Sequence, residues 1–155
     1  MDFSPKTELF CSKNGYFYKK ILMRTEKNVS LKKFNTFGLD YVAACMIHVK
    51  DENEAITLFK SNLINKEPLL VLGGGSNILF TGNFSGTIIH PEIEGIKIEK
   101  QSGNDVIVSA GSGINWDTFV EWTVSRGFFG LENLSFIPGN VGATPIQNIG
   151  AYVQK

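Results

Sequence analysis

LLVLGGGSNILF, residues 69–80, decides how the rest of the chain is read. Leu69–Leu72 is a short apolar run after Pro68, read as a buried strand. The apolar pattern stops at Gly73, Gly74 and Gly75 and restarts at Ile78–Phe80. Three adjacent glycines after a strand let the backbone take positive φ and bring a ligand against the main chain. Successive N–H groups in such a turn form a concave anion site, to which the Ser76 hydroxyl and the Asn77 amide add donors. A pyrophosphate suits that geometry, because it needs many donors and tolerates no side-chain bulk. A glycine turn that serves only tight packing is the competing reading for a lone triplet.

Two well-known phosphate loops are excluded. A G-x-x-x-x-G-K-[ST] loop needs a Gly-Lys pair, and the sequence has none. The G-x-G-x-x-G fingerprint fails at its third glycine, where Ile78 follows Gly73 and Gly75, and Trp116 follows Gly111 and Gly113. A dinucleotide held here needs a different scaffold. A second signal, IPGNVGATPIQNIGAY at residues 137–152, fits one. Gly139, Gly142 and Gly150 permit close backbone approach, and Pro138 and Pro145 stiffen the connections. Gln147 and Asn148 carry amides that donate and accept at once, suited to the edge of a planar ring. Apolar Ile137, Val141 and Ile146 complete a lining compatible with a flavin.

Working outward, Tyr41–Val49 reads as a strand. Asp51 and the acidic residues after it open a helix, with Ala55, Ile56, Leu58, Phe59 and Leu63 at helical spacing. Gly86–His90, Ile93–Lys100 and Asp105–Ala110 read as strands separated by turn residues. Asn115 or Asp117 caps a second helix that puts Trp116, Phe119, Val120 and Val124 on one face and stops at Gly127. Residues 128–155 read as ordered loop. Of 16 glycines, 14 fall at Gly73 or later, which places backbone-driven loops in the second half. Residues 1–22 lack either periodicity and are taken as an unassigned extension, with Met23 a plausible alternative start; 23–155 form the patterned domain.

The 155 residues carry 15 basic and 15 acidic side chains, 43% hydrophobic residues and 19% charged ones, a globular composition. No apolar run approaches the ~20 residues of a membrane span. Residues 1–33 hold 8 of the basic groups against 3 acidic ones. These lysines are scattered and form no nucleic-acid motif, so neither nucleic acid nor membrane is expected as a partner. Cys11 and Cys45 give no metal spacing, and no metal is expected. With no secretory signal visible, a cytoplasmic location is the expectation. His48 and His90 are read as satisfied structural histidines, Glu92 and Glu94 as a solvated face. No nucleophile–base pair is visible.

With both loops in view, the chain resembles the N-terminal part of the UDP-N-acetylenolpyruvoylglucosamine reductase family, the flavoenzymes of peptidoglycan precursor synthesis. Asn35-Thr36-Phe37-Gly38, Leu72–Leu79, Gly130-Leu131-Glu132-Asn133-Leu134 and Ile137–Tyr152 carry the likeness, in the right order, across about residues 29–152. The resemblance implies an α+β, FAD-binding fold of the vanillyl-alcohol-oxidase (PCMH) type, two α+β subdomains clasping the cofactor and C-terminally truncated here. It implies that Leu72, Gly73, Gly74, Gly75, Ser76, Asn77, Ile78 and Leu79 bind the cofactor, the loop Gly73–Asn77 holding the FAD pyrophosphate. Ile137, Pro138, Gly139, Val141, Gly142, Ala143, Thr144, Ile146, Gln147, Asn148 and Gly150 would hold the rest of the cofactor, and Asn35–Gly38 would shape the site near the flavin. Tyr152 would reach the sugar-nucleotide substrate. The implied chemistry is reduction of FAD by NADPH, then of UDP-N-acetylglucosamine enolpyruvate by the flavin. The family's catalytic arginine, serine and glutamate would lie beyond Lys155, leaving no catalytic residue within this chain. After Tyr152 the family pattern has glycine, where this chain reads Val153-Gln154-Lys155. A non-catalytic FAD-binding module, or the remnant of a truncated gene, is the alternative reading; the oligomeric state is not legible.

Overall fold

The first strand, β1 (Arg24–Ser30), runs antiparallel to β2 (Val42–Val49) in the computed structural model, which describes residues 23–61 and 68–149. β3 (Leu69–Val71) and β4 (Phe84–Pro91) complete a four-stranded sheet of order β1-β2-β4-β3, with both β2–β4 and β3–β4 parallel. The crossover between β2 and β3 carries α1 (Glu52–Lys60). Asp51 caps it: its carboxylate accepts from the Glu54 N–H (2.8 Å), and Glu54 reaches back to the Lys50 N–H (2.7 Å). Leu58, fully buried, seats α1 against Val49 and Ile89 of the sheet; burial of such a side chain contributes about 1.5–3 kcal/mol. On the other core, Leu31, Ala43, Met46, Leu72, Phe80 and Ile88 pack together.

A second α+β unit follows. β5 (Ile96–Ser102) and β6 (Asp105–Ala110) form an antiparallel hairpin, closed through Gly103 at φ 59°. α2 (Trp116–Val124) lies on it, with the Asn115 side chain accepting from the Thr118 N–H (3.1 Å) as its N-cap. Trp116, Phe119, Val120 and Leu134 form this unit's core, joined by Ile96, Val108 and Ala110 of the hairpin. The Trp116 indole N–H donates to Leu134 O at 2.8 Å, tying the loop after α2 to the helix. Gly127 stops α2 at φ 73°, its N–H donating to Val124 O.

The α+β class agrees with this arrangement, and the structure departs from the sequence reading in three respects. β1 was not anticipated at all. Leu69 and Val71 are exposed, because β3 is an edge strand of the described sheet; the buried apolar residue at its end is Leu72. The strand expected to start at Ile93 starts at Ile96, since Gly95 breaks the run at φ 100°. Leu63 and the segment 1–22 lie outside the described residues. Among the described residues no helix is long and apolar enough to cross a membrane.

Candidate functional site

The two glycine-rich loops come from different subdomains, and the fold brings them into contact. Ser76 at the end of the first loop donates its hydroxyl to Pro138 O (3.2 Å) and accepts from Gln147 Nε2 (3.3 Å). The hydroxyl expected as a ligand donor is thus engaged in bridging the loops. Asn140 packs on the same seam: a Cβ on Gly74 would meet its Oδ1 at 2.9 Å, and one on Gly73 would touch its Cβ at 3.7 Å. Its amide donates to Gly113 O (3.1 Å), while Val141 N–H donates to Ile114 O and Trp116 N–H to Gly139 O. These bonds fasten the second loop to the entrance of α2. Sequence reasoning passed over Asn140 between two glycines it did select; a lone amide within Pro-Gly-x-Val-Gly was the available signal.

A third segment closes the first loop from below. Asn35 is buried, and its side chain donates to Leu31 O (2.7 Å) and Leu39 O (3.0 Å) while accepting from the Leu39 N–H (3.0 Å). Both amide N–H groups and the carbonyl oxygen of the side chain thus bond within its own turn. That turn docks on the glycine loop through Thr36 N–H and Gly75 O (3.2 Å). Gly75 has φ 66°, and a Cβ there would overlap the carbonyl of Phe34, so only glycine fits.

The residues present suit a cofactor with a pyrophosphate. Among the described residues, the N–H groups of Gly73, Gly74 and Gly75 have no protein acceptor, as an anion nest requires. Phe37, Leu79 and Ile146 expose large apolar surfaces, available to a ring system. Ile137 and Val141 instead pack on the Trp116 core. Pro138, Gly142 and Asn148 are exposed, Gly139 is buried, and Ala143, Thr144 and Gln147 are half-buried along the loop. Phe136, at the loop's start, is 88% exposed with φ 62°; the Asp117 carboxylate holds it by accepting its N–H (2.8 Å). That bond and one from the Ser135 hydroxyl keep Asp117 below its ordinary pKa. Gly150 and Tyr152 lie outside the described residues.

Beside Asn140 lies a cavity of about 520 Å³ lined also by Lys50, His90, Glu92 and Glu94. Its two carboxylates disfavour a phosphate, so the glycine-loop face is the better anion site. Here the reading of Glu92 as solvated is corrected: its Oε1 lies 2.7 Å from His48 Nδ1. Burial pushes the Glu92 carboxyl up, but the His48 hydrogen bond and the charges of His48, Arg24 and His90 outweigh it and hold it below its ordinary value. His48 and His90 are both hydrogen-bonded, His90 through Nδ1 to Leu72 O (2.7 Å).

Comparison with known proteins shows the family. A family model described as "FAD binding domain" matches residues 43–155. The chain is 45% identical over 127 residues to UDP-N-acetylenolpyruvoylglucosamine reductase of Bacteroides fragilis, covering 82% of this chain and 38% of the relative. It is 44% identical over 133 residues to the enzyme of that name from Pseudomonas aeruginosa, covering 84% and 38%. A crystal structure of UDP-N-acetylenolpyruvylglucosamine reductase from Thermus caldophilus superposes with a TM-score of 0.57 at 27% identity, covering 79% of this chain and 41% of that one. The chain thus spans under half the length of these relatives. The match over residues 43–155 makes this chain a member of the FAD-binding domain family, with the FAD-binding part of UDP-N-acetylenolpyruvoylglucosamine reductase as its likeness.

Proposed function

We propose that this chain is the FAD-holding portion of a reductase that converts UDP-N-acetylglucosamine enolpyruvate to UDP-N-acetylmuramate, with NADPH as hydride donor, in the cytoplasmic synthesis of peptidoglycan precursors. The observation that carries the reading is the meeting of the Gly73–Asn77 and Pro138–Asn148 loops across the two subdomains, in a chain 45% identical to a reductase of that name. FAD, when bound, supplies the hydride chemistry. The protein's part is to bind and orient. Gly73, Gly74 and Gly75 offer backbone N–H groups to the pyrophosphate. Gln147 and Asn140 keep the second loop in register with the first, and Phe37, Leu79 and Ile146 shield the rings from water. Proton delivery to the substrate and its positioning fall to parts of the reductase outside the 38% of the relative that this chain matches; both contribute large rate factors.

A non-catalytic FAD-binding module shares the first half of this reading, and turnover separates the two. The purified chain is titrated with FAD by flavin fluorescence, then assayed for NADPH oxidation dependent on UDP-N-acetylglucosamine enolpyruvate. Saturable FAD binding with negligible turnover, and turnover restored in a chain extended to the relatives' length, is the expected pattern. Absence of FAD binding overturns the cofactor reading. Full turnover by the 155 residues alone sinks the proposal that the remaining length is needed.

A further inference from the structure

The β3–β4 ladder ends irregularly at the foot of the glycine loop. Its register pairs Leu69 with Thr87, Leu70 with Ile88 and Val71 with Ile89, so one more step sets Leu72 against His90. In this parallel ladder the odd-numbered residues of β4 face β3: Thr87 N–H donates to Pro68 O (2.9 Å), and Ile89 O accepts from Leu72 N–H (2.9 Å). The carbonyl of Leu72 therefore falls to the N–H of residue 91. That residue is Pro91, which has none. The next amide, Glu92 N–H, faces the other way and donates to Val49 O (2.7 Å). Leu72 is only 3% exposed, so its carbonyl would be left buried without a ladder partner.

His90 fills the gap. Its Nδ1 lies 2.7 Å from Leu72 O, where only a donated N–H makes a bond. The ring is held edge-on by Phe34 at 5.1 Å and by His48 at 5.5 Å. His48 is itself buried and tied to Glu92 Oε1, so the imidazole is locked from both sides. The carbonyl of Leu72 and the N–H of Gly73 belong to one planar peptide and point in opposite directions. Fixing the oxygen aims the Gly73 N–H, the first donor of the anion loop.

We propose that His90 is a positioning residue for the cofactor loop, its Nδ1–H replacing the ladder amide that Pro91 lacks and thereby orienting the Gly73 N–H toward the pyrophosphate. This rests on the FAD reading above, and the test separates the two. His90→Leu, His90→Asn and the double variant His90→Leu/Pro91→Ala are compared with wild type by FAD titration and by amide hydrogen exchange across residues 69–79 without FAD. His90→Leu is expected to weaken FAD binding roughly tenfold, the size of effect when a buried acceptor loses its partner, and to speed exchange through the loop. His90→Asn keeps a side-chain N–H at the δ position and stays within about threefold of wild type, the scatter of a neutral substitution. Pro91→Ala in the His90→Leu background returns a backbone N–H to Leu72 O and restores both affinity and protection. Wild-type affinity and exchange in His90→Leu, or a double variant no better than the single one, overturns the assignment. Failure of the wild-type chain to bind FAD overturns the functional reading, while the exchange comparison still judges His90. The ligating atoms of His48, His90 and Glu92 lie within 4.8 Å of one another, so loss of FAD affinity on EDTA treatment would make the trio a metal site and overturn the proposal as well.

Discussion

Replacing Gly75 by alanine tests the junction on which the site depends. The residue sits at φ 66°, in the left-handed region, where an L side chain costs about 1–2 kcal/mol. Its new Cβ would overlap the Phe34 carbonyl and stand 2.7 Å from Phe34 C and 2.9 Å from Asn35 Cα. All three are backbone atoms of a turn pinned by the Asn35 side chain, so relief requires moving the turn and stretching the Thr36–Gly75 bond. Forced overpacking of this kind adds about 1–3 kcal/mol. The sum, about 2–5 kcal/mol, is a large part of an ordinary domain's stability. At about 2–4 °C per kcal/mol for a chain near this size, the melting midpoint falls by about 4–20 °C. Thermal unfolding by circular dichroism measures it, with Gly82→Ala as control, since a Cβ at Gly82 meets nothing within 4 Å. FAD affinity should fall along with stability, because the displaced turn carries the loop. A midpoint for Gly75→Ala within 1 °C of the control would refute the claim that the turn and the loop are one rigid unit.

Two other substitutions probe the cores and the His48–Glu92 pair. Trp116→Phe removes the indole donor and leaves Leu134 O unpaired at a buried contact; urea denaturation should show a loss of about 1–3 kcal/mol. The folded-state pKa of Glu92 is depressed from its ordinary value near 4.5. Its ionised form therefore contributes stability that is present above that value and is lost as the pH falls through the lower folded-state pKa. Glu92→Gln should flatten this part of the acid limb of a pH–stability profile, and an unchanged acid limb would discount the pair.

Much of the fold was legible because local chemistry and long-range packing agree. Asp51 announced the first helix and Asn115 or Asp117 the second, of which Asn115 is the cap; Gly127 stopped the second, and β6 fell where its alternating apolar residues put it. β1 was hidden because Arg-Thr-Glu-Lys-Asn-Val-Ser has no apolar alternation; its existence depends on pairing with β2, and tertiary pairing overrides weak propensity. The His48–Glu92 contact spans 44 residues, and nothing local to either residue encodes it. Within the candidate site, the glycines and the two loops were readable from composition. Their contact was not, because it rests on how two separately built units dock. Ser76 shows the cost of reading a loop in isolation: a hydroxyl that looked free for a ligand is bound to the neighbouring loop.

The seam between the loops also bears on how the chain folds. The sheet with α1 and the hairpin with α2 each gather much of their own core, but the bonds joining Ser76 to Pro138 and Gln147 close over 62 and 71 residues. Contacts of such sequence separation form late, because loop closure must be paid for before they contribute. The half-sites can therefore exist before the site does. A ligand that touches both loops binds only the docked state and stabilises it by mass action, by about 2.7 kcal/mol at a hundred times its Kd. Supply of that ligand during synthesis would then govern how much of the chain escapes proteolysis.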